Sequence, residues 1–596
     1  MTEADADSGR LAISVIIPTY NRRAVLARTL PTLFAQAFPP EQYEVLVVVD
    51  GSTDGTAEWL GGLQPSHTFR VLEQPNRGPA AARNAGLAVA RGRLILFLDD
   101  DILCGPTLLR EHAAAHVDTE SRAVFGPVLV APESQPSLAT DWVIEYSAHW
   151  VERFGRKMEP GWPYDAIVDA NTSVPRAVLR ECGGFDERFG RQRETADLGL
   201  RLWAMGVRFR YAPAAVTHQI YVKSSRDLIK RDAVEYGRHS VLLSRKHPDY
   251  RPHSALAGRG RGPLWRRLAR EAALRLPLPT EWLLAPVVWA AERLRALPRV
   301  RRAGVRLLAA QQGIATLRSA LREVGSWRAF CAEFGMGLPV LLYHHVGPPR
   351  PGTYPELTIP PEQFERQMRW LARRGFVAIR PADWLAWRQG AGRLPKRPVL
   401  LTFDDAYADL TEFALPVLER HGFGAAIFAV TGLLGGTNAW DEALGCGTHR
   451  LMTAAQVREW AGRGIEFGAH GRTHADLTTL GPGELDTEIG ESAKDLARHL
   501  GAPPVAFAYP YGSYNGQVQH RVRDHFALAF TCDEGMNDLR SDPHLMRRTM
   551  VQPSDFLLDF ACRAGLGWSP LERLRSRLRL RTRLLSALRS LGMQPE

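Results

Sequence analysis

The sequence predicts an α/β protein with two units: an N-terminal open, mostly parallel sheet and a C-terminal (β/α) barrel, joined by a basic helical linker. Three observations carry this reading. Short, β-branched, nearly continuous apolar runs such as AISVIIP (12–18) and EVLVVV (44–49) read as strands buried on both faces of a parallel sheet. Helical spacings such as RRAVLARTLPTLFAQ separate those runs, and the alternation occurs twice, on either side of a stretch where β-branched runs vanish. Finally, 596 residues exceed what one core organises, so two or three domains are expected.

Composition narrows the class. With 45% apolar and 23% charged residues the chain is globular rather than disordered. The net charge of +11 gathers in Arg-rich segments near 263–302 and 573–589. Such charge suits phosphate groups, nucleic acid or an anionic membrane surface. No recognised nucleic-acid module accompanies it, so nucleic acid is not expected as a partner. The six cysteines stand singly with no Cys-x-x-Cys pair, which argues against a cysteine zinc site and a disulfide framework. The N-terminus MTEADADSGR lacks a basic and then apolar leader, and WLLAPVVWAA (282–291) falls short of the ~18 apolar residues of a span. The expected setting is cytoplasmic, with peripheral attachment to the inner face of the membrane as an option.

In chain order, residues 1–245 form the first α/β domain, 246–335 a basic amphipathic helical linker, 336–568 the barrel and 569–596 an Arg/Leu-rich tail. The first domain runs through strands 12–18 and 44–49, the Ala-rich helix PAAARNAGLAVARG and the strand of LILFLDD. The barrel strands read LPVLLYH, FVAI, PVLLTFDD, AAIFAV, IEFGAH and VAFAYP, with polar residues collecting at their ends. The tail, and the segment around Trp265, could each lie in an anionic bilayer interface or be solvated Arg-rich helices, and the sequence favours neither.

Ligands of an open parallel sheet bind beyond the carboxyl ends of its strands. There the first domain places Pro18-Thr19-Tyr20-Asn21, Asp50-Gly51-Ser52 and Asp99-Asp100-Asp101. Carboxylates spaced Asp-x-Asp hold a hard divalent cation that neutralises a diphosphate, although Asp residues there could instead cap the following helix. The ordered set SVIIPTYNR, VVVDGSTDGT, NRGPAAARNAGL and FLDDD resembles the family 2 glycosyltransferases of GT-A fold over residues 12–240. The resemblance implies that Pro18, Tyr20, Asp50, Arg83, Asp99 and Asp100 contact the nucleotide sugar, and that Asp99 and Asp101 carry Mn²⁺ or Mg²⁺. It also implies that an acceptor-activating carboxylate lies in GRQRETADLGLRLW, where the family's base position holds Thr195. Glu194 and Asp197 are the substitutes on offer.

In the second domain, TFDD (402–405) and GAHGRTHADL (468–477) supply two aspartates and two histidines four apart, as on one face of a helical turn. A carboxylate with two imidazoles leaves coordination positions open for water and a substrate carbonyl. With LPVLLYHHV (338–346), LPVLERHGFGAAIFAV (415–430) and FAYPYG (507–512), these motifs resemble the polysaccharide deacetylases of the NodB-homology, carbohydrate esterase family 4 group. That resemblance implies Asp404 as general base, Asp405, His470 and His474 as ligands of Zn²⁺ or another divalent metal, and the Tyr511 backbone N–H as an oxyanion donor. Three departures stand out: Gly471 follows the first histidine, Ala508 replaces an arginine, and no late Leu-x-His supplies an acid, leaving His544 as a stand-in.

The expectation is a bifunctional glycan-assembly enzyme that transfers a sugar, with UDP-GlcNAc the plausible donor, and removes acetyl groups from an N-acetylated or lipid-linked glycan. Two alternatives remain: a live deacetylase beside a GT-A domain that only binds, and a membrane-surface scaffold with both sites inactive.

Overall fold

The computed structural model describes residues 11–116, 122–156, 170–257, 274, 280–335, 337–348, 356–444 and 448–572. They fall into two compact units, 1–250 with 268–325, and 251–267 with 326–596.

In the first unit a seven-stranded sheet runs in the order β3-β2-β1-β4-β8-β6-β9. Its strands are β1 (Ile13–Thr19), β2 (Tyr43–Asp50), β3 (Thr68–Gln74), β4 (Leu94–Leu98), β6 (Arg122–Phe125), β8 (Asn171–Pro175) and β9 (Arg208–Tyr211). β3, β2, β1 and β4 are parallel, and β8 lies antiparallel to both β4 and β6. Alternate β1 residues feed two different cores. Ile13, Val15 and Ile17 pack with Leu26, Leu30 and Leu33, whereas Ile16 packs with Leu46, Val48, Ala80 and Ala82 on the other face. This two-sided burial accounts for the continuous apolar runs. It also accounts for the small residues of PAAARNAG: a Cβ at Gly86 would lie 2.6 Å from Ile16 Cγ2. A second sheet joins β5 (Ile102–Cys104), β10 (Thr217–Gln219) and β7 (Val128–Val130). Parallel register ends β1, β2 and β4 side by side, bringing Thr19, Asp50 and Asp99 to one edge.

Residues 246–335, expected as a linker, contain the helices Thr280–Arg293, Pro298–Val324 and Trp327–Phe334. The first two are part of the first unit's core, where Val288, Ala291, Val305 and Leu308 pack with Leu138, Leu228 and Ala233.

The second unit is a curled sheet of parallel strands in the order β19-β18-β17-β16-β15-β11. These are β11 (Leu338–Tyr343), β15 (Pro398–Phe403), β16 (Ala426–Ala429), β17 (Glu466–Ala469), β18 (Ala506–Ala508) and β19 (Leu528–Phe530). The (β/α) barrel expected from the sequence is present as a curled half-barrel sheet, open along one seam among the described residues. The seam between β19 and β11 is spanned by residues 546–550, which touch each side only briefly: Met546 bridges Phe530, and Thr549–Met550 pairs with Leu341–Leu342. So short a segment cannot supply a full ladder.

The inside of the curl is lined by Leu338, Val340, Leu400, Ala426, Phe428, Ala506 and Ala508. Their neighbours Leu341, Tyr343, Leu401, Phe403 and Ile427 face the surrounding helices. Strand alternation therefore aims His344, Asp404 and His470, two or four residues past the last inward side chains, into the mouth of the curl.

Candidate active sites

In the second unit Asp404 and Asp405 follow β15. An extended strand would send adjacent side chains to opposite faces. Here Asp405 and Ala406 have φ of 69° and 55°, the strand stops, and both carboxylates turn toward His470. Among the described residues six non-glycine positions have positive φ: Asn21, Arg193, Asp405, Ala406, His474 and Tyr511. All six belong to, or adjoin, sequence motifs singled out as functional, where strained backbone is known to concentrate.

His470 and His474 do not lie on a helical turn. They flank an irregular loop caged by Glu488, whose carboxylate accepts the N–H groups of Arg472 and Thr473 at 2.8 and 3.0 Å and the Thr473 hydroxyl at 2.8 Å. Gly471, with φ 74°, turns the chain inside that cage, where a side chain larger than hydrogen would meet Glu488. His470 Nδ1 donates to the Ala508 carbonyl at 2.8 Å, which orients Nε2 toward the carboxylates. His470 Nε2 and His474 Nε2 then stand 3.6 and 3.4 Å from Asp405 Oδ1. That oxygen is buried without a hydrogen-bond partner.

This donor set fits a metal. Asp405, His470 and His474 each offer a ligand atom within one small cluster. Ligands about 2.1 Å from a tetrahedral ion stand roughly 3.4 Å apart, close to the separations here and too long for good hydrogen bonds. Burial holds both imidazoles below their usual pKa, His474 far below, so they are neutral donors. Burial, with Asp404 and Asp441 adding to it, pushes the Asp405 carboxyl well up. A bound cation would reverse that cost.

Asp404 has a different partner. Arg548 donates to both its oxygens at 2.6 and 2.8 Å, and both side chains are buried. Burial alone would raise the Asp404 pKa, but Arg548, with His470 and His344, outweighs it and holds it at about 2. Sequence reasoning missed Arg548. In place of an arginine at position 508, the partner of Asp404 is Arg548, 144 residues along the chain from it, on the segment that spans the seam. A buried pair of this kind is costly to break from one side. Also missed were Trp440, stacked on His474 at 4.6 Å, and His344, beside Asp404 in the mouth. The Tyr511 ring, half-exposed, stands edge-on to His474 at 4.5 Å. His544, the stand-in acid, has its Nε2 bonded to the Phe526 carbonyl at 2.8 Å.

The first unit gathers its acids differently. Asp99 accepts from Arg83 at 2.8 Å, and the other Arg83 amino group reaches Glu194 at 3.2 Å, with Arg83 and Glu194 both buried. Arg22 spans Asp100 at 3.2 Å and Asp101 at 2.8 Å. Thr19 also donates to Asp100, and Gln219 to Asp101. Burial pushes the Asp100 carboxyl up to about 7, Arg22 opposing and Asp101 assisting. Asp50 accepts from Gln74 and from the backbone N–H groups of Arg77 and Gly78 at 2.7–2.9 Å, fixing the loop before the Ala-rich helix. Pro18 is buried in β1, and the Tyr20 ring is exposed.

Asp197, proposed from sequence as a substitute base, is fully buried. Lys246 and His247 take one carboxylate oxygen at 2.7 and 2.8 Å and Arg201 the other at 2.9 Å. That arrangement ties two helices together and presents no oxygen to an acceptor. Thr195 is half-buried beside Glu194.

Comparison with known proteins agrees with the two-unit reading. Residues 14–182 match the model of glycosyl transferase family 2, and residues 391–526 that of polysaccharide deacetylase. The chain joins a family 2 glycosyltransferase domain to a polysaccharide deacetylase domain. The first domain is similar to the validoxylamine A glucosyltransferase of Streptomyces hygroscopicus subsp. limoneus, 33% identical over 245 residues, which cover 36% of this chain and 54% of that one. The second is similar to YxkH of Bacillus subtilis (strain 168), a protein bearing a polysaccharide deacetylase name, 26% identical over 217 residues covering 36% and 72%. The structure of IcaB from Ammonifex degensii is 26% identical, covers 38% of this chain and 96% of that chain, and has a TM-score of 0.33. The chain thus spans about half the length of its glucosyltransferase relative.

Proposed function

We propose that the protein assembles glycans with two chemistries: transfer of a sugar from a nucleotide sugar, with UDP-GlcNAc the preferred candidate, and hydrolytic removal of acetyl groups from an N-acetylated glycan or a lipid-linked glycan. The observation that carries the second activity is Asp405 Oδ1, buried and unpartnered between two neutral imidazoles, beside an Asp404 paired with its own arginine.

Asp405, His470 and His474 would hold a divalent ion, zinc first among candidates, which would supply Lewis-acid chemistry at the acetamide carbonyl and the attacking water. Asp404 takes that water's proton on a carboxylate oxygen, and Arg548 keeps the carboxylate ionised and aligned. The Tyr511 N–H donates to the oxyanion that forms at the carbonyl. In the first unit Asp99 and Asp101 would hold Mn²⁺ or Mg²⁺ against the diphosphate. Pro18, Tyr20, Asp50, Arg83 and Asp100 would line the donor site, and Glu194 is the remaining carboxylate near the acceptor side.

One observation favours a second reading, in which the first domain binds nucleotide sugar without turnover: Thr195 occupies the base position and Asp197 is sequestered. Incubating the full chain with UDP-GlcNAc, an N-acetylated oligosaccharide, Mn²⁺ and Zn²⁺ separates the two. Release of both UDP and acetate is expected, with Asp101→Ala abolishing the first and Asp404→Asn the second. Acetate without UDP, despite saturable UDP binding, supports the second reading. Acetate release surviving Asp404→Asn overturns the deacetylase assignment.

A further inference from the structure

The helix pair 280–293 and 298–324 has an inner face that is satisfied and an outer face that is not. Inward, Val288, Ala291, Val305 and Leu308 complete the core of the first unit. Outward, Val287, Trp289, Leu294 and Leu297 are each more than half exposed, at 53, 59, 52 and 54%. Val287 and Leu294 are seven residues apart and share one side of the first helix, Trp289 lies on the other side of its exposed face, and Leu294 and Leu297 fall at the elbow between the helices.

The exposed charged residues between 285 and 306 are of one sign. Arg293, Arg299, Arg301, Arg302 and Arg306 are exposed, and the Arg293 guanidinium lies over the Trp289 ring at 4.2 Å from its centroid. Between residues 285 and 306 the sequence holds a single acid, Glu292. It is half-buried and turned inward, accepting from the Leu138 N–H at 2.9 Å and the Ser225 hydroxyl at 3.2 Å. Arg295 also turns inward, paired with Asp141 at 2.6 and 3.0 Å. What remains outside is apolar side chains, one indole and five guanidinium groups, with no acid between 285 and 306 to offset them.

We propose that this elbow is a seat for an anionic lipid surface. Charge selects this occupant over the others. A second copy docking through the same face would oppose five arginines with five arginines. Nucleic acid would use the cations but leave Val287, Leu294 and Leu297 in water. An anionic bilayer interface takes both: headgroups meet the guanidinium groups while the indole and aliphatic side chains enter the acyl boundary. The seat is on the surface and not through it, because no helix among the described residues is long and apolar enough to cross a membrane. The inference rests on the first unit's surface and stands whether or not either site turns over.

Co-sedimentation of the full chain with vesicles tests it. Binding is expected to phosphatidylcholine vesicles containing phosphatidylglycerol, to be weak on phosphatidylcholine alone, and to fall as salt rises. The triple variant Val287→Ser, Trp289→Ser, Leu294→Ser should lose about tenfold or more in affinity, as should the charge variant Arg299→Glu, Arg301→Glu, Arg302→Glu. Both sets are exposed, so melting temperature and acetate release in free solution should not move. A chain ending at residue 570 keeps the elbow and should still bind. Equal binding by the triple variant and the parent, binding carried entirely by residues 571–596, or self-association without lipid binding each overturns the proposal.

Discussion

Two strands of this protein end in clustered aspartates, and the molecule treats them in opposite ways. After β15, Asp404 and Asp405 divide their work. Asp404 is neutralised by Arg548, whereas Asp405 keeps an oxygen unpartnered and aimed between two imidazoles. After β4, every acid already has a cation of the protein's own: Arg83 on Asp99, and Arg22 on Asp100 and Asp101. The first arrangement leaves a buried acceptor open between two imidazoles. The second holds its charge closed in ion pairs. The local sequence does not make this difference. It is made by arginines 16 to 144 positions away.

The largest effect should come from breaking the one-to-one pair. Arg548→Met leaves a buried carboxylate uncompensated and should cost about 3–5 kcal/mol in the second unit's transition in urea. It should also abolish acetate release at neutral pH. Arg548→Lys keeps the charge but loses the two-pronged geometry, and should fall between the two. If Arg548→Met melts like the parent, the pair contributes nothing and Asp404 is held by other means.

Much of the site could be read from the chain, for a physical reason. Asp404, Asp405, His470 and His474 lie at or just past strand ends, where register brings the two segments side by side and left-handed backbone at Asp405 and the Gly471 loop turn the side chains inward. Arg548 could not be read, because it sits in a two-strand seam with no periodicity, and its role depends on the sheet curling back on itself. The same limit applies to the barrel's seam, whose contacts are too short to leave a pattern. Asp197 illustrates the reverse error: a helix-start acid reads as solvated or catalytic, and nothing local reveals that Lys246 and His247 will enclose it. Residues 246–335 read as a linker because their composition is basic and β-branched runs vanish there, yet apolar positions between 288 and 315 build a core.

The two acid tips should also differ in pH response. Asp100, raised to about 7 from an ordinary value near 3.8, binds a proton more tightly folded than unfolded. It therefore subtracts stability as pH rises from about 4 to 7, the loss being complete above 7. Asp404, lowered to about 2, adds stability that is present above 3.8 and is lost only as pH falls toward 2. Between pH 5 and 8, in metal-free buffer, Asp100→Asn should flatten the first unit's stability profile, gaining on the order of 2 kcal/mol at pH 8 and little at pH 5. Asp404→Asn should leave the slope of the second unit's profile over that range unchanged. A parent chain whose first transition is independent of pH would show that Arg22 compensates Asp100 fully.

The smallest expected effect bears on whether the closed arrangement at β4 is a working site. Thr195 stands next to Glu194, whose carboxylate is engaged by Arg83, and Asp197 is enclosed by Arg201, Lys246 and His247, so neither of these two carboxylates is free beside it. Thr195→Asp adds one at a half-buried position without disturbing Arg83. If turnover in the parent is limited by that missing base, the variant should release UDP about tenfold faster with acceptor present, and UDP binding should be unchanged. The gain should require acceptor, because a base that activates a sugar hydroxyl has little effect on hydrolysis by water. A rate unchanged in Thr195→Asp, with Glu194→Gln removing all transfer, would instead make Glu194 the base. The Arg83 bridge would then be a contact that opens when donor and metal draw Asp99 away.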